Sequence, residues 1–428
     1  MKKWSRLGIG TIAVFSSALL VMGALQTAAP GQAGANGASA GFGDQTRGTI
    51  GTMTPDYGTP APAGFDNKTN GVLSQAEFDA SRAVFEEKEE IADGLGPVYN
   101  AAACVDCHAN PVTGSGSQIG ELRAGLLYNG QFSNPPGGSL IQDRAIHADI
   151  QERIDANYDV RTVRMSLSTL GDGFVEAIAE STLVAISNNQ PSAMRGQVIR
   201  VPVLEAGGTL RVGRFGWKNQ HASLESFSAD AYLNEMGITS PLQRVENTSN
   251  GRPIHDYDRV PDPEDDGADV RLFAMFMRAT KVPPRDEALA ATADAQAGAQ
   301  IFNKIGCDNC HVRTIVTAPT GTMINGGAFA VPPALGAKTI HPFGDFLLHD
   351  VNTGDGIVQN GGPYTRNKVR TAPLWGLRTR TRLMHDGFSL TISGAILRHG
   401  GEAAGPVIIY RFLSNTEQKQ VLTFLSSL

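Results

Sequence analysis

The chain has 428 residues, 41% hydrophobic and 18% charged, enough for two or three domains' worth of core, which excludes disorder throughout. Its 49 glycines and 23 prolines fall short of the low-complexity range, so a loop-rich globular protein is expected. The formal charge of -6 falls to about -9 without Lys2, Lys3 and Arg6, and so acidic a surface excludes nucleic acid as a partner.

Those three cations precede an uncharged stretch from Leu7 to Leu25, and Ala33-Gly34-Ala35 follows as a small-residue cleavage site. This order predicts a secretory signal over residues 1–35, hence an exported, periplasmic protein with no membrane span after cleavage. An uncleaved anchor is the competing reading, because the stretch is long enough to span a bilayer. Residues 36–63 are rich in Gly, Ala, Thr and Pro and read as a flexible lead-in.

Residues 66–77 imitate a calcium loop, but Lys68 stands where an oxygen ligand belongs. A turn followed by a helix capped by Ser74 and Glu77 is therefore expected, running past Phe78 and Phe85 to Gly94. Apolar residues recur at helical spacing from Phe174 to Ile186. Val198 to Val203 and Thr209 to Arg214 read as a hairpin, with Pro202 at a sheet edge. Asp262 to Asp266 form an acidic loop, expected on the solvated surface, with a metal site as the alternative. An Ala-rich helix over 287–300, and a last helix capped by Ser414 and Glu417, bracket the C-terminal part.

The four cysteines decide the chemistry. Cys104-Val105-Asp106-Cys107-His108 and Cys307-Asp308-Asn309-Cys310-His311 are both Cys-x-x-Cys-His, the attachment signature of c-type haem. Each pair of thiols can bond a porphyrin, and His108 and His311 are placed to ligate the two irons. A redox dithiol or a four-cysteine zinc site would leave both histidines unexplained. The expected fold is mainly α: two cytochrome c-like haem domains, 64–284 and 285–428, with small β-hairpin insertions and long loops. Val282-Pro283-Pro284 marks the boundary.

Five segments carry a family resemblance: residues 94–100 (GLGPVYN), 213–218 (GRFGWK), 234–240 (NEMGITS), 370–377 (RTAPLWGL) and 384–387 (MHDG). They resemble the bacterial di-haem oxidoreductase family, described as peroxidases and sometimes labelled thiol oxidoreductases. More distantly the chain resembles di-haem cytochrome c peroxidases and the related enzyme that matures a tryptophan-derived quinone cofactor. The resemblance implies Glu235 as an acid/base at the open face of the first haem, with an ordinary exposed helix acid as the alternative. It puts Glu225, by spacing, or Phe227, by motif order, where those relatives carry Gln. Trp217 would lie between the haems, and His399 would be the second ligand of the second haem, with a plain core or surface His as the alternative. Thr371 and Pro373 resemble positions whose carbonyls bind an inter-haem Ca2+. His221 is the rival to Glu235: ligating the first iron, it would close that site. His341, His349, His147 and His255 have no role assigned; the first two are expected on the surface, with contacts to haem propionates as the alternative.

Peroxide cleavage needs an exchangeable iron site, a group that moves a proton, and a second electron source. The sequence therefore predicts an oxidoreductase acting on hydrogen peroxide or another small oxidant, fed by a small redox protein. Its competitor is an electron-transfer di-haem cytochrome with no substrate chemistry. A thiol-oxidising role has no free cysteine to use once both haems attach.

Overall fold

The computed structural model describes residues 58–428, so the predicted signal and most of the lead-in lie outside the described residues. Helices carry most of the regular structure, and the strands form small sheets. Among the described residues no helix is long and apolar enough to cross a membrane.

The first group of helices is built from Gln75–Glu86, Leu224–Met236 and Ala268–Ala279. Ser74 and Glu77 form the expected reciprocal cap, and Asp66 pairs with Lys281 at 2.8 Å, which supports the turn over the calcium loop. The helix ends at Glu86, earlier than expected, and a separate short turn, Ile91–Asp93, runs up to Gly94. Phe78, Phe85, Phe273 and Phe276 interlock at the centre, with Phe85 and Phe276 ring centroids 4.7 Å apart.

Glu176 holds this region together from inside. Its carboxylate is fully buried and accepts from Arg278 Nε (2.7 Å) and Nη2 (3.0 Å), the Leu224 N–H (2.8 Å) and Asn325 Nδ2 (2.9 Å). Arg211 and Arg214, also buried, donate to the backbone carbonyls of Glu176 and Ile178. An ionised carboxylate among three guanidiniums is the arrangement that lets charge survive burial.

The Leu224–Met236 helix ends at Gly237, in the left-handed conformation (φ 71°). A Cβ there would lie 2.8 Å from the Gly96 and Val98 carbonyl oxygens, so only glycine lets the helix end dock on the segment leading to the first cysteine. The docking is hydrogen-bonded: the N–H groups of Asn100 (2.7 Å) and Ala101 (3.1 Å) donate to the Glu235 carbonyl.

The β structure exceeds expectation. Gly120–Tyr128 pairs antiparallel with Gln131–Ser133, Leu140–Ile141 and Val160–Met165 in a four-stranded sheet. Asn129 and Gly130, both at positive φ, make the tight turn of its first hairpin. The predicted hairpin is present as Arg200–Val203 against Thr209–Val212. Far along the chain, Thr59–Pro60 pairs in parallel with Lys338 and Thr339.

The C-terminal helices are Ala293–Lys304, Ile392–Arg398, Ala404–Phe412 and Asn415–Ser426. The first and last cross at Gly298, where an added Cβ would meet the Gln420 carbonyl oxygen at 1.9 Å. Phe302, Phe343, Phe424, Val421 and Leu425 form their core, whereas the larger core runs from Phe78 to Trp375. The acidic loop is not uniformly solvated: Asp265 is buried and accepts the Asp269 N–H (3.2 Å).

Candidate functional site

Both Cys-x-x-Cys-His motifs adopt the same local geometry. Cys104–Cys107 is one helical turn, Cys307–Asn309 a 3-10 turn, and in each the following histidine's N–H donates to the first cysteine's carbonyl at 3.0 Å. Each histidine also faces a phenylalanine from the preceding helix, Phe85 at 6.2 Å from His108 and Phe302 at 6.2 Å from His311. Burial pushes Cys107 and Cys307 up to about 12 and raises Cys104 and Cys310 as well. Such thiols are poor nucleophiles, which argues against a redox dithiol. No cluster among the described residues gathers all four cysteines, which argues against zinc.

Around the second motif lies a cavity of about 480 Å³. Its wall includes Cys307, Cys310, His311, His399, Trp217 and Arg370. His311 Nδ1 lies 3.0 Å from the Phe343 carbonyl and His399 Nδ1 2.8 Å from the Ala395 carbonyl, so each ring presents Nε2 as its free lone pair. The two ring centroids are 6.5 Å apart. Two metal–imidazole bonds of about 2 Å each, plus roughly 1.1 Å from each Nε2 to its ring centre, come to about 6 Å. Burial holds both rings in the neutral, ligating form, with His311 lowered to about 4.

The wall of the same cavity carries three arginines without an ion pair among the described residues: Arg382, which is exposed, and Arg370 and Arg380, both lowered to about 10 by burial. Arg370 Nε donates to the Gly216 carbonyl (2.9 Å) and Arg380 Nη2 to the Trp375 carbonyl (3.3 Å). A flat apolar molecule carrying two carboxylates, as haem does, complements both the cavity and these guanidiniums.

The first motif is surrounded differently. His108 Nδ1 is buried without a hydrogen-bond partner. The Glu235 carboxylate accepts from Asn100 Nδ2 at 2.7 Å and lies near Cys107. Burial, then the adjoining Glu121 carboxylate, raises the Glu235 carboxyl far above the ordinary range. Glu121 stays ionised despite its burial because Arg123 binds it at both oxygens (2.7 and 3.0 Å). On the side of Cys104, Glu89 accepts from the Tyr232 hydroxyl (2.8 Å), and burial raises it to about 7.

The other expected residues fall into place around these. His221 is buried with Nε2 3.1 Å from Asp230 and its ring 5.6 Å from that of Phe227. The structure does not bring Glu225 to Glu235: Glu225 is grouped with Arg278, Glu205 and Glu176. Trp217 is buried, donates from Nε1 to the Met165 carbonyl (2.8 Å), and meets His385 edge-on at 6.0 Å. Thr371 lies on the cavity wall. His349 corrects a surface expectation. It is buried between Asp345 (2.8 Å) and Glu402 (2.7 Å), and although burial opposes its charge, the Asp345 carboxylate pushes it up to about 12. His255 is exposed, and His341 Nδ1 lies 3.1 Å from the Thr314 hydroxyl.

Glu121, Arg123, Glu89, Arg380 and the buried state of His349 went unread in the sequence. Only the Asn129-Gly130 turn could have revealed the strand that carries Glu121 and Arg123.

Lys218, next to Trp217, is fully buried and lies 3.0 Å from Asp355, which also binds Arg164 at 2.6 Å. Arg164 in turn reaches Glu121 at 3.9 Å. Buried charges therefore run from Glu121 through Arg164 and Asp355 to Lys218, the chain neighbour of Trp217.

The comparison with protein families agrees with this chemistry. A family described as "Di-haem oxidoreductase, putative peroxidase" matches residues 143–428. Among solved structures, a MauG-like protein associated with microbial copper homeostasis is 16% identical, with 88% of this chain and 94% of that one covered and a TM-score of 0.40. The hydrazine synthase of Kuenenia stuttgartiensis is 14% identical, with 95% and 100% covered and a TM-score of 0.36. No curated protein matches. With more than half of its length matched, the chain belongs to the di-haem oxidoreductase family and is an oxidoreductase.

Proposed function

We propose that the chain is an exported, periplasmic di-haem c-type oxidoreductase of the peroxidase kind, with a reactive site at the first motif and an electron-storing site at the second. Cys104, Cys107 and His108 would hold the first haem. Cys307, Cys310, His311 and His399 would hold the second, with Arg370 and Arg380 on its carboxylates. When bound, the haems supply one-electron storage and an iron able to take an oxidant.

The observation that carries this reading is an asymmetry between the two motifs. His311 is faced across its cavity by a second imidazole whose Nδ1 is likewise held by a backbone carbonyl, whereas beside the first motif stand carboxyls, and the rival imidazole His221 has its Nε2 3.1 Å from Asp230. One site is thereby saturated and the other left open to a small oxidant. Glu235 keeps a proton at neutral pH and would move it between the two oxygens of a peroxide. Trp217, held by the Met165 carbonyl, lies on the cavity wall beside the buried charges that lead to Glu121. The two haem-bearing parts would be 64–284 and 285–428.

The test is to purify the chain matured with haem, count haems per chain by mass, and record absorption and paramagnetic-resonance spectra with and without hydrogen peroxide. Two haems, a mixture of high-spin and low-spin ferric signals, and rapid bleaching are expected. Two low-spin haems inert to peroxide would instead make the protein an electron-transfer cytochrome with His221 on the first iron.

A further inference from the structure

His349 is buried on the wall of the cavity at the second motif and has no part in the chemistry proposed above. We infer that His349 is the positioning residue for His399: through Glu402 it clasps the turn that follows His399 to the loop beside Cys310, and so keeps a second imidazole opposite His311. The inference rests on the reading of His399 as the second ligand of the second haem.

His399 needs such a clasp because its own helix is lightly packed. None of the seven residues of Ile392–Arg398 is fully buried, and the bond from Arg398 Nη1 to Asp386 Oδ1 (3.0 Å) is made by a partly exposed arginine. Beyond the helix the chain is pinned instead. The Gly400 N–H donates to the Val351 carbonyl and the Glu402 N–H to the Asp350 carbonyl, both at 2.8 Å. Gly401 stands at positive φ (49°), and a Cβ there would lie 2.4 Å from the Asp350 carbonyl oxygen, so only glycine lets the two segments close up. The Glu402 carboxylate completes the junction: Oε1 accepts the Asp350 N–H (3.2 Å), and Oε2 lies 2.7 Å from His349 Nδ1.

His349 carries that junction across to the motif itself. Its Nε2 lies 2.8 Å from Asp345 Oδ2, which also accepts from Gln190 Nε2 (2.6 Å), and the same Gln190 nitrogen donates to the Asn309 carbonyl (2.7 Å). Cys310 Sγ is 3.7 Å from His349 Nδ1. Ionised carboxylates only accept, so both ring nitrogens donate and the ring is an imidazolium between two anions. With both nitrogens engaged inside the protein, His349 has none left for a haem carboxylate. The connection therefore runs from Asn309 through Gln190, Asp345 and His349 to Glu402, in the turn after His399. Removing the imidazole opens it at the middle and leaves Asp345 and Glu402 without the cation between them.

The test is to titrate the haem-loaded ferric protein with cyanide and follow the low-spin signal of the second haem by paramagnetic resonance. His399→Ala, which removes the ligand outright, sets the reading for an open site. His349→Leu and Glu402→Gln are each expected to lower the cyanide concentration at half-conversion about tenfold, the loss of one charged hydrogen bond. Glu176→Gln, which weakens the fold elsewhere, should leave that concentration unchanged, so a general loss of stability is separated from a lost position. Should His349→Leu fail to take up haem, Glu402→Gln supplies the same reading from a partly exposed carboxylate. Wild-type behaviour in both variants, with His399→Ala open to cyanide, overturns the inference and leaves His399 as the ligand. An equal shift in Glu176→Gln overturns it as well. An unchanged signal in His399→Ala overturns both the inference and the reading beneath it.

Discussion

Replacing Glu176 with Gln keeps the shape of the side chain and removes the one carboxylate that three buried arginines share. Arg278, only 4% exposed, loses a bidentate partner, and Arg211 and Arg214, 3% and 0% exposed, keep only backbone and amide acceptors. Breaking a buried pair by removing one partner costs about 3–5 kcal/mol, because the other charge stays in place uncompensated. At roughly 2–4 °C per kcal/mol, that is a loss of about 6–20 °C in Tm. The loss is expected in calorimetry and in denaturant midpoints alike. Adding Arg278→Met to Glu176→Gln should recover part of it, since the orphaned cation is then gone. A loss below about 1 kcal/mol, or a double variant no more stable than the single, would refute the view that this carboxylate is the electrostatic centre of the core.

Three further outcomes follow from the geometry. Changing His399 to Ala should convert the second haem from a six-coordinate low-spin centre to one that binds added imidazole or cyanide, read by absorption and paramagnetic resonance. An unchanged spectrum would place the second ligand elsewhere. Glu89 is raised by burial from 4.5 to about 7, so it stabilises the fold fully below about 4.5, and that contribution is lost as pH rises through about 7. In Glu89→Gln the corresponding decline in Tm between pH 5 and 8 should flatten, and a curve parallel to wild type would contradict the assignment. Gly298→Ala puts a methyl group 1.9 Å from the Gln420 carbonyl oxygen, so the two terminal helices must part, at a cost of about 1–3 kcal/mol by chemical denaturation.

What could be read from residues alone was whatever depends on local spacing. The capping boxes at Ser74 and Ser414 and the Arg200–Val203 hairpin are set within a few positions and are present as expected. The helical stretch from Phe174 is instead two short helices, Asp172–Glu176 and Glu180–Asn189, because the chain bends there to bring Glu176 under the arginines. What escaped notice was set by distant partners. Glu121 and Glu235 are 114 positions apart, and nothing near either one announces the other. His349 read as a surface residue because its two carboxylates come from Asp345 and, much later, Glu402. Glu225 failed to join Glu235 because it stands in the first turn of the Leu224–Met236 helix and Glu235 in the last, about 15 Å apart along the axis, and the charges around Glu225 are Arg278, Glu205 and Glu176.

The parallel pairing of Thr59–Pro60 with Lys338 and Thr339 has a consequence for how the molecule comes to exist. Lys338 Nζ bonds the Thr59 hydroxyl across 279 positions, so this edge cannot zip up until nearly four-fifths of the polypeptide has been made. Throughout that interval Cys104 and Cys107 belong to a chain whose packing is unfinished, so under the proposed haem attachment their sulfurs would be reachable before the structure shuts.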